Sequence, residues 1–426
     1  MHYRITTMIT LVFVLFTGTL FAQNPGAHWQ MYATPEEAGW LAEKLEEAEA
    51  YANKVGTAAF MVIQDGKVVD YWGDIDRRFM CHSIRKSFLS ALMGVYVDQG
   101  IIDLSTTMEQ LGIEDVHQLT DQEKEATIGD LLKARSGVYH PAAYETDAMK
   151  ARRPERGTYE PNTFWYYNNW DFNTLCHILM LYSKKDFFQD FKERFADPLQ
   201  LEDFRLEDTY YHLEAEHSQF PAYPFRMSSR DLARFGQLFL QEGQWNGGQI
   251  VSADWVAEST RSYSIDTRAK DRGYAYLWWT NIYGTERPNY SAQGVGNQAI
   301  IVYPEENVVL VNRANTFVGE RVDTDDLIEL TRKVFAAKNG TVKEMAKVKP
   351  LPHKLEEYTG PFRSDWRHMV ITRKGDRLLA DSRSGKFYLD PVPGSEDTFF
   401  IEDLERMIAF LRDEDGELTG ELKIED

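Results

Sequence analysis

Cysteine is nearly missing from this chain: Cys81 and Cys176 are the only two in 426 residues. Two thiols are too few for a disulfide framework, and both lie in apolar runs where a free, buried thiol is the simpler reading. No C-x-x-C or H-E-x-x-H spacing occurs, so the strong zinc signatures are absent and no metal or cofactor is expected. Positive charge is also scarce. Lys and Arg number 47 against 67 Asp and Glu, a formal net charge of −20. A chain so acidic repels nucleic acid and anionic membrane surfaces, which excludes both as partners. Beyond residue 22 no apolar run reaches the ~20 residues a membrane-spanning helix requires. Finally, there is no G-x-S-x-G, which removes the nucleophile elbow of the α/β-hydrolases.

What is present describes a folded protein. Hydrophobic residues make up 43% and aromatics 13% of the chain, enough for a large domain with a smaller one beside it. Residues 1–22 read as a secretory signal: His2 and Arg4 give a short basic start, Ile9 to Phe21 an apolar core, and Ala22 a small residue before Gln23. Thr and Gly interrupt that core, which argues against the alternative of an uncleaved anchor. The expectation is export to a periplasmic or extracellular location, with no stable membrane insertion after signal removal.

The remaining chain divides by pattern. Residues 58–72 form two β-prone runs around Asp65-Gly66, a hairpin signature. A helix follows from Ser83, then a polar stretch, then ATIGDLLKARSGV, where Thr127 and Asp130 open a helical step that stops at Ser136-Gly137. Residues 170–182 and 228–241 are further helical patterns. QAIIVYPEENVVLVNRAN reads as a hairpin turning at Pro304–Asn307, and Thr324 to Ala337 as a closing helix with Thr324 as its cap. The order predicts an α+β domain over 30–340, an antiparallel sheet flanked by helices. A Lys- and Pro-containing linker over 341–353 and a small all-β, barrel-like module over 354–426 complete it.

The chemistry centres on CHSIRKSFLSALMGVYVDQG. Ser83 and Lys86 stand three residues apart, which puts both side chains on one helical face about 5–6 Å apart at Cβ. This is the only S-x-x-K in the sequence. Ile84, Phe88, Leu89, Leu92, Met93, Val95 and Tyr96 give the broad apolar surface of a buried helix, and Gly100 a C-terminal stop. A serine nucleophile needs a base, and a lysine serves when burial or positive neighbours keep it neutral. His82, adjacent to Ser83, faces elsewhere on a helix and is rejected as that base.

A second motif, FWYYNNWDFNTL, places Tyr166-Tyr167-Asn168 at the head of a helix. With Ser83-Ile-Arg-Lys86, the Ser-Gly-terminated helix after Thr127, SSRDLARFGQLFLQEGQWNGGQIVSADWV and YAYLWW following in order, the chain resembles the serine β-lactamase/penicillin-binding-protein superfamily. The resemblance, over roughly residues 35–337, is to its class C-like branch of esterases, D,D-peptidases and amidohydrolases. It implies an acyl-enzyme on Ser83, with Lys86 as general base. Tyr166 would relay the proton to the leaving group, and Asn168 would orient Lys86 and the substrate. Tyr167-Asn168-Asn169 fits Y-x-N equally well; Phe164, two residues before Tyr166, favours the first register.

The third family motif, a cation followed by Thr or Ser and Gly, is degraded here. SAQGVGNQ offers Gln293, Gly294 and Val295 as substrate-binding residues, Gly294 for close approach and a main-chain N–H near Val295 for the oxyanion. No cation is present, which favours a small-molecule or peptide-like ester or amide over a β-lactam or peptidoglycan substrate. A binding protein that has lost turnover is the non-enzymatic alternative. Arg313 reads as a solvated strand arginine rather than as a replacement cation. The stretch Lys150 to Gly157, KARRPERG, reads as a solvated loop, although it could flank the cleft and attract an anion. Trp165, Trp170, Trp278 and Trp279 either line an apolar pocket or pack in the core.

Overall fold

The computed structural model describes residues 24–265, 272–343, 346–350 and most of 355–425. The signal-like residues 1–22 lie outside the described residues. The hairpin at 58–72 forms as strands Ala59–Gln64 and Lys67–Gly73. Asp65 and Gly66 both have positive φ, 50° and 71°, as a tight two-residue hairpin turn demands. This hairpin supplies the third and fourth strands of a ten-stranded sheet. From one edge the order is Val348–Pro350, Gln30–Tyr32, Lys67–Gly73, Ala59–Gln64, Val308–Arg313, Gln298–Tyr303, Tyr290–Gly294, Trp279–Thr280, Gly273–Tyr274 and Ser264–Ile265. Every pairing is antiparallel except that of Gln30–Tyr32 with Lys67–Gly73. The segment expected as a linker thus supplies an edge strand, Val348–Pro350, to the main sheet.

The central strands are buried along their whole length, because helices cover both faces. Alternation sorts their side chains into two cores. Met61, Ile63, Ile300, Val302, Val309 and Val311 join the larger core, under the helices Arg85–Asp98, Asn169–Ser183 and Ser229–Leu240. Phe60, Val62, Ile301, Tyr303, Val308 and Leu310 face the other side, under Ala42–Lys54 and the closing helix Thr324–Ala336. Asp323, one residue before the expected Thr324, caps that last helix. Gly236 lets Ser229–Leu240 lie directly on the sheet: a Cβ there would stand 2.7 Å from the side chains of Ile300 and Val309.

Beyond the sheet, seven strands from Gly360–Ser364 to Leu418–Glu425 close into a barrel, with Leu378, Ala380, Leu389, Ile401 and Ile408 inside. The expectation of an α+β fold with a small C-terminal barrel holds. Arg373 of the barrel reaches Asp76 at 3.2 Å and Asp203 at 3.6 Å in the larger domain.

Phe88 ties the Ser83 helix into the larger core. It is fully buried and meets Phe191, Phe225 and Phe235 with ring centroids 5.0, 5.5 and 4.2 Å away. Phe88→Ala is expected to cost about 3–5 kcal/mol, because the cavity left behind cannot collapse among three aromatic neighbours. Denaturant unfolding followed by tryptophan fluorescence reads that loss.

Candidate active site

Ser83 sits in a 3-10 turn, His82–Ile84, which runs directly into the helix Arg85–Asp98. The helix ends as expected, with Gly100 left-handed at φ 68°. His82 adopts φ 48°, an uncommon conformation for a residue with a side chain, and this turns the chain sharply just before the serine. From this helix Lys86 projects back, with its Nζ 2.8 Å from Ser83 Oγ. The side chain is 2% exposed. Burial holds its pKa well below the ordinary lysine value, and the adjacent Arg85 guanidinium lowers it further. No carboxylate pairs with Lys86 among the described residues; the Tyr167 and Phe172 rings lie 4.5 and 4.7 Å from its ammonium nitrogen.

The tyrosine beside Lys86 is Tyr167. Its hydroxyl is 2.7 Å from Nζ, and burial pushes its pKa up to about 12. Tyr166, the residue expected there, is turned the other way and donates to the Met149 carbonyl at 2.9 Å. The cause is the alternation of side chains along the non-helical segment 164–168. Trp165 and Tyr167 both meet Trp279, whereas Phe164 stacks on Tyr159 and Tyr166 meets Tyr139.

The same one-residue shift displaces the asparagine. Asn168 is the N-cap of Asn169–Ser183, accepting from the Trp170 N–H, and its amide donates to the Val138 carbonyl and to Asp171. Held this way, it cannot also orient Lys86. Asn169 lines the cleft instead, its amide donating to the Tyr144 carbonyl at 2.7 Å. The register Tyr167-Asn168-Asn169 is therefore the one that faces Lys86.

Ser83 opens onto a cleft of about 450 Å³. Gln293, Gly294 and Val295, the residues expected to bind substrate, line it. A Cβ on Gly294 would lie 2.4 Å from the Cys81 carbonyl oxygen, so only glycine lets this strand end abut the turn that carries Ser83. Trp165 and Trp279 line the cleft, while Trp170 and Trp278 are fully buried core residues. Arg152 comes from the stretch 150–157 expected to be solvated, and Tyr144 and Met149 from the residues just before it.

Three further groups complete the surroundings. His82 lines the cleft and hydrogen-bonds Thr316 Oγ1 through Nε2 at 2.9 Å. Burial and then the cations Arg85 and Arg313 push its pKa down to about 4, so it is neutral near pH 7. Arg313 is neither solvated nor in the cleft. It is fully buried and donates to Gln298 and to the Met227 and Met80 carbonyls, because an interior guanidinium must satisfy its donors locally. Cys81 and Cys176 are free and buried, and burial raises both thiol pKa values, that of Cys81 to about 11.

A hydroxyl, a neutral amine and a phenol in hydrogen-bond contact can move a proton among themselves while the serine oxygen attacks an electrophile. The Beta-lactamase family model matches residues 42–333, and the chain belongs to that family. Over 92 residues it is 36% identical to the 6-aminohexanoate-dimer hydrolase of Paenarthrobacter ureafaciens, a match spanning 20% of this chain and 23% of that one. Among solved structures, the octameric penicillin-binding protein homologue from Pyrococcus abyssi superposes with a TM-score of 0.54 at 16% identity. That superposition covers 87% of this chain and 96% of the other. A putative 6-aminohexanoate-dimer hydrolase from Bacillus anthracis gives 0.53 at 20% identity, over 68% and 80%.

Keeping Lys86 neutral costs stability. Its folded pKa lies below its unfolded one, so the unfolded chain binds the proton more readily and stability rises with pH toward the unfolded value of about 10.4. Lys86→Met is expected to raise the unfolding midpoint at pH 7. The gain should shrink as pH climbs toward 10, as read by thermal melts across that range.

Proposed function

We propose that the protein is an exported serine hydrolase that cleaves an ester or amide bond through an acyl-enzyme on Ser83. The observation that carries this reading is the position of Lys86 Nζ, 2.8 Å from Ser83 Oγ and 2.7 Å from the Tyr167 hydroxyl, with burial and Arg85 keeping the amine neutral. Lys86 accepts the Ser83 proton as Oγ attacks the carbonyl carbon. The main-chain N–H groups of Ser83 and Val295 receive the oxyanion. Collapse of the tetrahedral intermediate breaks the bond to the leaving group, which takes its proton from Tyr167 as Lys86 resupplies the phenol. Water then attacks the Ser83 ester, giving a proton to the Lys86–Tyr167 pair, which returns it to Ser83 Oγ as the C–Oγ bond breaks and the acid leaves. Gln293 in place of a cation removes the third motif's partner for a carboxylate beside the scissile carbonyl, which disfavours a β-lactam or a D,D-peptide. The relative named for the 6-aminohexanoate dimer keeps linear amides within the proposed range.

A fluorophosphonate probe is expected to label the wild type at Ser83 and to leave Ser83→Ala unlabelled. An unlabelled wild type would overturn the hydrolase reading. Stable labelling by a fluorescent penicillin would instead move the assignment to the peptidase side.

The register of the second motif has its own test. Tyr167→Phe is expected to lower kcat on an activated ester by about 10²–10⁴, the usual range for a lost proton-transfer group. Tyr166→Phe leaves the hydroxyl on Lys86 in place, so its kcat should stay at least tenfold above that of Tyr167→Phe. Equal losses would return the proton relay to Tyr166.

A further inference from the structure

Three arginines lie within five residues on the loop that borders the cleft, and they are treated differently. Arg153 pairs with the buried carboxylate of Glu145, and Arg156 pairs with the buried Glu123, which His140 also meets at 3.3 Å. Arg152, between them, lines the cleft and has no acidic partner among the described residues. Its place is fixed from both sides. Tyr166 holds the Met149 carbonyl three residues before it, and the Arg153–Glu145 pair anchors the residue after it. Glu145 in turn accepts the Ala142 N–H, so the anchor belongs to the same loop's base.

The cleft's composition points the same way. In a chain of net charge −20, no Asp or Glu lines this cleft among the described residues, and Arg152 is the one ionised side chain that does. Trp165, Trp279 and Phe164 line the same cleft and supply apolar surface. Aromatic surface and an unpaired guanidinium in one cleft complement an apolar chain that carries a carboxylate. The usual cation of the third motif is replaced by Gln293, so Arg152 would supply positive charge from a different element.

We propose that Arg152 is a specificity-determining residue that binds a carboxylate on the substrate, so that the protein hydrolyses esters or amides of apolar compounds bearing a free carboxylate. This rests on the hydrolase reading above. The carboxylate sits on the acyl chain or on the leaving group, and the same guanidinium chemistry serves either.

Two matched substrate pairs separate these arms. The first is mono-p-nitrophenyl adipate against its methyl ester; the second is the hexanoyl ester of 4-hydroxybenzoate against that of methyl 4-hydroxybenzoate. For the wild type, kcat/KM is expected to favour the carboxylate-bearing member of at least one pair by about tenfold, and less as salt screens the contact. In Arg152→Glu that ratio should fall below one, and Arg152→Lys should retain part of it, with thermal melts confirming that both variants fold. A wild-type ratio near one in both pairs, with fluorophosphonate labelling of Ser83 intact, would overturn this inference and leave the hydrolase reading standing. A preference that survives in Arg152→Glu would also overturn it. A wild type that neither labels nor hydrolyses would overturn both.

Discussion

A lysine amine buried without a carboxylate partner is the constraint around which the site is built. Lys86 Nζ touches Ser83 and Tyr167 and otherwise meets aromatic rings. An ammonium there would be an uncompensated interior charge, so the environment selects the neutral base. Arg85 strengthens that selection from the next position along the helix. Its guanidinium is fully buried between the rings of Tyr144 and Tyr223, 5.1 Å from each, and donates to the His82 carbonyl. An acid placed to neutralise Arg85 would also stabilise the ammonium form of Lys86. The rings and the one carbonyl offset part of the arginine's burial without doing so, and its Nε and Nη2 have no hydrogen-bond partner among the described residues.

The surrounding scaffold holds the serine turn at a fixed height over the sheet. Arg313 donates to Met80 and Met227, carbonyls of the short ribbon Phe79–Met80 and Arg226–Met227 that leads into the turn. Gly294 then brings the end of its strand against the Cys81 carbonyl from the other side. His82 pays for this crowding with a left-handed backbone, held by its ring contact to Thr316. A cation read from the sequence as a solvated strand arginine therefore acts inside the fold, as a clamp. Burial explains why that role was hidden: strand alternation assigns Arg313 to a face, but it cannot tell that both faces are covered.

Local signals carried most of the fold. The Asp65-Gly66 turn, the Thr127–Asp130 capping box, the Ser228 cap and the Gly100 stop are each made by neighbours in sequence, and each is found in place. The S-x-x-K pair was legible for the same reason, since one helical turn fixes it. What sequence could not resolve was which of two adjacent tyrosines meets Lys86. That depends on the rotation of a non-helical segment relative to a distant helix. One clue was available in Asn168: an asparagine immediately before a helix is a preferred N-cap, and a capping amide is already committed. The edge strand Val348–Pro350 was likewise invisible, because its partner Gln30–Tyr32 lies more than 300 residues away.

That single register couples the reacting centre to the rim of the cleft. Along residues 164–168, odd positions turn toward Trp279 and even positions toward the loop side, where Tyr166 holds Met149. Asn168, as the helix cap, ends the alternation and fixes its phase. Were the segment one residue longer or shorter, Tyr167 would leave Lys86 and Tyr166 would release the Met149 carbonyl together. The base's phenol partner and the loop that borders the cleft are thus set by one cap, and neither can be repositioned without moving the other. The Ser83–Lys86 pair is independent of this, being internal to its own helix, so the segment at 164–168 determines what surrounds the nucleophile rather than the nucleophile itself.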